Sequence, residues 1–150
     1  MFFSKKPKNS EGKLIIGAVE YISLPDLGIK KLKARIDTGA KISALHADNI
    51  KLKKIDGKRF VHFDIIVGEW GAFTSIPAKA PLKDVKTVVS SNGHYTKRPV
   101  IVTRIKVGNL VWKIHLSLID RSAMRYRMLL GRLSIKNRFV VDVSGSHFQS

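Results

Sequence analysis

The chain contains no cysteine. That removes disulfides, thiolate zinc sites and cysteine nucleophiles together, and it fits a reducing compartment. Acid is scarce: 11 Asp and Glu stand against 28 Lys and Arg, a net charge of +17. No apolar run approaches the roughly 18 residues that a membrane-spanning helix needs, so no membrane partner is expected. Met1 to Ser10 lack the apolar core of a secretory signal, and the expected location is the cytoplasm. His-Glu-x-x-His, Gly-x-x-x-x-Gly-Lys-Ser/Thr and Gly-x-Ser-x-Gly are all missing. This leaves no zincin pair, no phosphate loop and no serine elbow. His46, His62, His94, His115 and His147 share no metal-motif spacing, so no metal and no cofactor are expected. There is no RNP motif, zinc finger or basic heptad helix either, so the basicity comes without a recognisable nucleic-acid module.

What is present is strand. At 150 residues and 44% hydrophobic, the chain suits one domain with its own core. Residues 1–12 read as a basic flexible tail and residues 13–150 as a single domain. Leu14 to Ile22 reads as one buried strand, and Leu24 to Gly28 as a turn. Lys31 to Ile36 is a strand that delivers Asp37. Ser43 to Asp48 returns as strand, and Ile50 to Ile55 alternates at period two. Asp56-Gly57 signals a hairpin whose second arm is Arg59 to Val67. The stretch from Gly68 to Lys86, interrupted by Gly71, Pro77 and Pro81, is the least regular. Asn92-Gly93 marks a second hairpin tip, with Pro99 at an edge position. Gly108-Asn109 turns into Leu110 to Leu118, which alternates as a half-buried antiparallel strand. One short helix is expected around Leu133 to Lys136. Hairpins at this spacing predict an all-β, closed β-barrel.

One stretch organises the rest. Lys33 to Lys41 reads as a strand running into a tight turn, with Asp37 where the strand stops. Thr38 carries a hydroxyl able to bond nearby backbone, Gly39 permits a positive φ, and Ala40 leaves room for another segment. A carboxylate mounted on a rigid turn is suited to catalysis. Asp-Thr-Gly alone would be better explained by a strand ending in an Asx-type turn.

A second stretch, Tyr126 to Leu133, contains Leu129-Leu130-Gly131-Arg132 and precedes the apolar Phe139 to Val143. An apolar strand, then Asp-Thr-Gly-Ala and later Leu-Leu-Gly-Arg, resembles the paired signature of retropepsin-like aspartic proteases. Ala34 to Ala47, Arg98 to Ile101, Asp120-Arg121 and Met128 to Arg132 resemble a bacterial branch labelled ATP-dependent zinc protease, often found beside ribosomal-protein glutamate ligases. The resemblance covers about residues 14 to 144. It implies a retropepsin-like barrel and a catalytic Asp37. Asp-Thr-Gly occurs once. Two carboxylates are needed, so a homodimer with its two-fold axis between the Asp37 side chains is expected. Thr38 would brace the turns across that axis, and Gly39 would admit substrate backbone. Leu130, Gly131 and Arg132 would support the acid from behind. Asn92 and Gly93 would form a flap, with the region from Gly68 to Pro77 its rival. His46 is the one histidine in the family pattern and a candidate to stand near the site; a structural histidine is the alternative. In a monomer the second acid would have to be Asp120 or Asp142. The zinc and ATP of the branch's label find no motif here.

Charge points to the partner. A surface at +17 attracts polyanions. Arg121, Arg125 and Arg127 form a cluster suited to carboxylates, and with Ala40 they are the expected substrate-binding residues. The expected substrate is an acidic peptide or protein, with association to the ribosome or a glutamate ligase. The competing expectation is a non-catalytic basic β-barrel that binds the ribosome or another polyanion.

Overall fold

Alternating apolar and polar residues, cut by tight turns, decide the architecture. The structure is a computed structural model and describes residues 7–68, 71–89, 91–120 and 125–150. Its elements are β1 (Leu14–Ile16), β2 (Val19–Leu24), a 3₁₀ turn (Pro25–Leu27), β3 (Ile29–Asp37), β4 (Ser43–His46), β5 (Asp48–Ile55) and β6 (Lys58–Val67). Then come β7 (Thr74–Val89), β8 (Tyr95–Val107), β9 (Leu110–Ile119), β10 (Met128–Gly131), α1 (Arg132–Ile135) and β11 (Phe139–Val141). The strands β2, β3, β10, β4, β9 and β8 are neighbours in that order, and β8 returns to β2 at Ser23↔Lys106. The fold is thus an all-β closed barrel, with one short α-helix among the described residues. β7, β6 and β5 continue from β8 as a wing outside it.

The barrel wall follows from period-two patterning. Along β8, Ile101, Thr103, Ile105 and Val107 are buried while Arg104 and Lys106 face water. Ile101, Ile105 and Val107 meet Leu116, Leu118, Met128 and Leu130 in one core. Each such aliphatic side chain contributes about 1.5–3 kcal/mol by leaving water. On the wing, Asp56 and Gly57 both take positive φ, 51° and 79°, as the hairpin between β5 and β6 requires. β5 is exposed from Lys51 to Ile55, and its lysines discourage pairing along that outer edge.

The structure corrects two local expectations. Leu14 to Ile22 is two strands, because the chain breaks at Gly17. There the carbonyl of Gly145 comes to 2.3 Å of where a Cβ would sit, a gap only glycine permits. β1 leaves the barrel to pair in parallel with β11. Next, the stretch from Gly68 to Lys86 is far more regular than expected: β7 is a 16-residue strand that contains Pro77 and Pro81. It pairs with β6 over Thr74–Pro81 and with β8 over Leu82–Val89. Both prolines therefore lie where β7 has one partner, and the missing N–H can face away from it. Residues 7–12 carry specific bonds: the Ile15 N–H donates to the Pro7 carbonyl at 2.9 Å and the Asn9 N–H to the Lys13 carbonyl at 2.8 Å.

The far side of the barrel is pinned by an ion pair. Arg104 donates through Nε at 2.9 Å and Nη2 at 2.6 Å to Asp26 Oδ1, and through its backbone N–H to Oδ2 at 3.1 Å. The side-chain bonds first, and the backbone bond second, hold the Asp26 carboxyl below its ordinary value of 3.8. A lowered folded-state value means that this contribution to stability is complete above about pH 3.8 and vanishes as pH falls through the lowered value. Asp26→Asn is therefore expected to lose less stability on acidification than the parent. Urea midpoints measured from about pH 5 to 2 would check this, and parallel curves would refute it.

Candidate active site

β3 carries buried Leu32, Ala34 and Ile36 on one face and ends with Asp37 half-buried. The chain then turns: the Ala40 N–H donates to the Asp37 carbonyl at 3.2 Å, and the Gly39 N–H to Asp37 Oδ1 at 3.1 Å. One carboxylate oxygen is thus fixed by the turn's own backbone. Oδ2 takes no hydrogen bond among the described residues. Gly39 is absent from the residues with positive φ, contrary to the expectation for it. Its requirement is space, since a Cβ there would sit 3.3 Å from Asp37 Oδ1.

The second motif lies alongside. β10 runs parallel to β3 with Leu130 opposite Ile36 and Gly131 opposite Asp37. The Arg132 N–H donates to the Ala40 carbonyl at 2.8 Å and the Leu133 N–H to that of Lys41 at 3.2 Å. Arg132 Nη1 donates to the carbonyls of Gly39 at 3.2 Å and Thr38 at 3.4 Å. Ser43 Oγ accepts from the Gly131 N–H at 3.0 Å and lies 2.7 Å from Ser134 Oγ. A Cβ on Gly131 would lie 2.7 Å from the Ile42 carbonyl carbon and 2.8 Å from its oxygen. Gly131→Ala must push the two motif segments apart, at a cost of about 1–3 kcal/mol. Urea unfolding measures that cost, and an unchanged midpoint would show that the brace yields freely.

Asp37, Thr38, Gly39, Ala40, Leu130, Gly131 and Arg132 are thus one hydrogen-bonded unit. Other expected site residues lie elsewhere. The His46 N–H donates to the Arg127 carbonyl at 2.8 Å, which puts Arg127 at the start of β10, while Asp37 faces its end. Four residues of strand separate them, about 13 Å. Arg127 sits 4.7 Å from the Phe73 ring and Arg125 5.6 Å from that of Tyr126. Neither arginine is beside the acid, because a parallel β10 carries its preceding residues away from it. Arg121 lies outside the described residues. Asn92 and Gly93 sit at the tip of the β7–β8 hairpin. β8 does not pair with β9 until Val100, so the hairpin projects as a two-stranded arm. The rival β6–β7 tip carries Phe73 to Arg127 instead.

The family-pattern histidine is also remote. His46 is buried at the far end of β4 from Ser43, about 10 Å along the strand. Its Nε2 is 3.0 Å from Asp48 Oδ1. With Asp120 it forms a trio whose ligand atoms lie within 4.8 Å of one another, the one such group among the described residues. Histidine spacing alone could not reveal it, because Asp120 follows β9, the strand that pairs beside β4 with Ile119 opposite His46. This trio could hold a metal, but it does not adjoin Asp37, so zinc does not fit the turn that bears the acid. It also removes Asp120 as an intramolecular second acid. Asp142 Oδ1 is taken up by Ser144, from Oγ at 2.6 Å and N–H at 3.0 Å, and these bonds hold its carboxyl below the ordinary value.

A closed barrel in which a strand ending in Asp-Thr-Gly is braced from behind by Leu-Leu-Gly-Arg has the fold of a retropepsin-like protein. The comparisons are specific: residues 15–150 match the RimB-like family, described as "Retropepsin-like aspartic endopeptidase RimB", and the chain belongs to that family. It is 38% identical over 137 residues to a "Probable alpha-L-glutamate ligase" of Shewanella pealeana, covering 91% of this chain and 30% of the relative. A relative of the same name in Desulfotalea psychrophila is 40% identical over 130 residues, covering 87% of this chain and 28% of its own length. This chain therefore spans less than a third of those relatives. A solved structure of a Legionella pneumophila protein of unknown function superposes with a TM-score of 0.73 at 30% identity, covering 91% of this chain and 98% of that one. No helix among the described residues is long and apolar enough to cross a membrane.

Proposed function

We propose that the protein is an aspartic-type peptidase in which Asp37 and the Asp37 of a second copy act on an acidic peptide. The observation that carries this reading is the mounting of Asp37. One oxygen is fixed by the Gly39 N–H, the other takes no hydrogen bond among the described residues, and Arg132 ties the turn to the barrel. Two carboxylates sharing one proton is the known arrangement of aspartic proteases. The ionised member takes a proton from water, whose oxygen attacks the amide carbon. The protonated member gives its proton to the carbonyl oxygen, and a proton passed to nitrogen lets the C–N bond break into acid and amine. Thr38 and Gly39, exposed on the turn, would meet the second copy and the substrate backbone. Asn92 and Gly93 would close over the substrate as a flap.

The charge of +17 and the relatives' name together favour glutamate-rich substrates, such as a polyglutamate tail or the ribosomal or ligase protein that carries it. Arg127, about 13 Å from Asp37, would meet a substrate residue some four positions from the scissile bond, with Arg125 two residues from it in sequence. Arg121 would extend that patch. A second reading is a non-catalytic basic barrel that serves as a docking module for a glutamate ligase or the ribosome. The partial coverage of the ligase relatives favours it.

Hydrolysis of a glutamate-tailed peptide and its glutamine-tailed twin, followed by mass spectrometry, separates the two. The expected result is cleavage of the glutamate peptide, unchanged by chelator and weakened as salt rises from about 50 to 200 mM, since counterions must be released on binding. Salt-sensitive binding without cleavage would favour the docking module. Activity lost to chelator and restored by zinc would overturn the aspartic mechanism.

A further inference from the structure

The turn that presents Asp37 continues directly into the wall of a cleft of about 380 Å³. Lys41, from the turn itself, forms part of that wall. Lys86 reaches it from the projecting β7–β8 arm, Trp112, Lys113 and His115 from β9, and Arg138 from the segment after α1. Among the described lining residues none is acidic. Lys113 also interacts electrostatically with Asp26, outside the cleft; gathering these cations in a lining that holds no acid is unfavourable in the free protein and lowers the energy of an anion entering between them. The cleft also has an apolar wall. Trp112 packs on Phe139 with ring centroids 5.4 Å apart, and the Arg138 guanidinium lies 5.2 Å from the indole ring. The indole Nε1–H is buried with no acceptor among the described residues. A donor kept from water in this way is unusual unless something else supplies the acceptor.

Position gives the cleft its meaning. Lys41 follows Asp37 by four residues, so the two lie within about 14 Å of chain. An extended peptide advances about 3.3 Å per residue. A side chain seated beside Lys41 therefore belongs to a residue within about four positions of a bond held at Asp37.

We infer that this cleft is a carboxylate-selecting subsite: Lys41, Lys86, Lys113 and Arg138, with the Trp112 ring and N–H, take the side chain of a glutamate or aspartate near the scissile bond. The inference rests on the peptidase reading above and names the groups that would make it specific for acidic sequences. Glutamine offers the same shape without the charge, so it is rejected by the loss of four attractions at once. The general field of a +17 protein would instead be indifferent to which lysines are removed.

The chain has two tryptophans, so Trp70→Phe leaves Trp112 as the sole indole reporter. Placed with Asp37→Asn to prevent turnover, it is titrated with a glutamate peptide and its glutamine twin. The expected result is a change in Trp112 emission and at least tenfold tighter binding of the glutamate peptide. Lys86→Gln with Lys113→Gln should reduce that preference to about twofold or less. Lys53→Gln with Lys54→Gln, on distant β5, removes the same charge and should preserve it. Equal loss in both pairs, or binding that leaves Trp112 emission unmoved, would overturn the subsite. Cleavage is read separately in the wild-type chain. If no peptide is cut but Trp112 still selects glutamate, the subsite stands and the peptidase reading falls. If both peptides are cut equally well, the peptidase stands and the subsite falls.

Discussion

Asp37→Asn should abolish peptide hydrolysis while leaving the barrel intact. Asparagine keeps the shape and can still accept the Gly39 N–H at Oδ1, so the turn should survive. What it cannot do is take a proton from water. General acid–base catalysis of this kind contributes about 10²–10⁴-fold, and a dimer of the variant loses both carboxylates, so the loss should reach the upper end. Urea unfolding should shift by less than about 0.5 kcal/mol, the range for substitutions that disturb no packing. Acidic-peptide binding should persist. Turnover by Asp37→Asn at the wild-type rate would mean that the hydrolytic group lies elsewhere.

The largest effect on stability is expected at Glu20, whose role no motif announces. Its place in β2 sets its side chain on the buried face, and it is fully buried. The carboxylate accepts from the Gly17 and Phe148 N–H groups, each at 2.9 Å, and from the Gln149 N–H at 2.8 Å. It also accepts from Ser150 Oγ at 3.3 Å. Gln149 in turn bonds the Ile15 carbonyl at 2.8 Å, so one acid fastens the C-terminal segment to β1 and β2. Glu20→Ala strands two buried N–H groups and a partly buried third, and opens a cavity. At about 1.5–3 kcal/mol for each bond to a charged group, partly offset by relaxation, the loss should be on the order of 3–5 kcal/mol. Thermal unfolding should fall by about 6–20 °C for a domain of this size. The C-terminal segment should also become the first site cut by protease. A variant within about 0.5 kcal/mol of the parent would show that the buried acid is dispensable.

What could be read from the chain was local. Asp56-Gly57 and Asn92-Gly93 are turn signals complete within two residues, and both are hairpin tips here. Asp37 and Leu130-Gly131-Arg132 are legible because each is a contiguous block whose turn chemistry travels with it. Their alignment, Gly131 opposite Asp37, is set by tertiary pairing. The misplaced features depend on strands far apart in sequence. Pro77 and Pro81 suggested irregularity, but β7 changes partners at Pro81 and leaves each proline an open side. Arg125 and Arg127 are close to Leu-Leu-Gly-Arg in sequence, yet β10 points them away from Asp37. The His46 trio needs Asp120 from another strand, and Glu20 needs the C-terminal segment. Neither partnership has a spacing that could be searched for.

Only one Asp-Thr-Gly is available per chain, so two Asp37 side chains can meet only where two chains do. Sedimentation equilibrium, run beside turnover per protomer across the same concentration range, addresses this directly. The expected result is a species of twice the 16.8 kDa chain, with activity falling as that species dissociates. A protein that remains a monomer and still cleaves the glutamate peptide at full rate would contradict the shared Asp37 site.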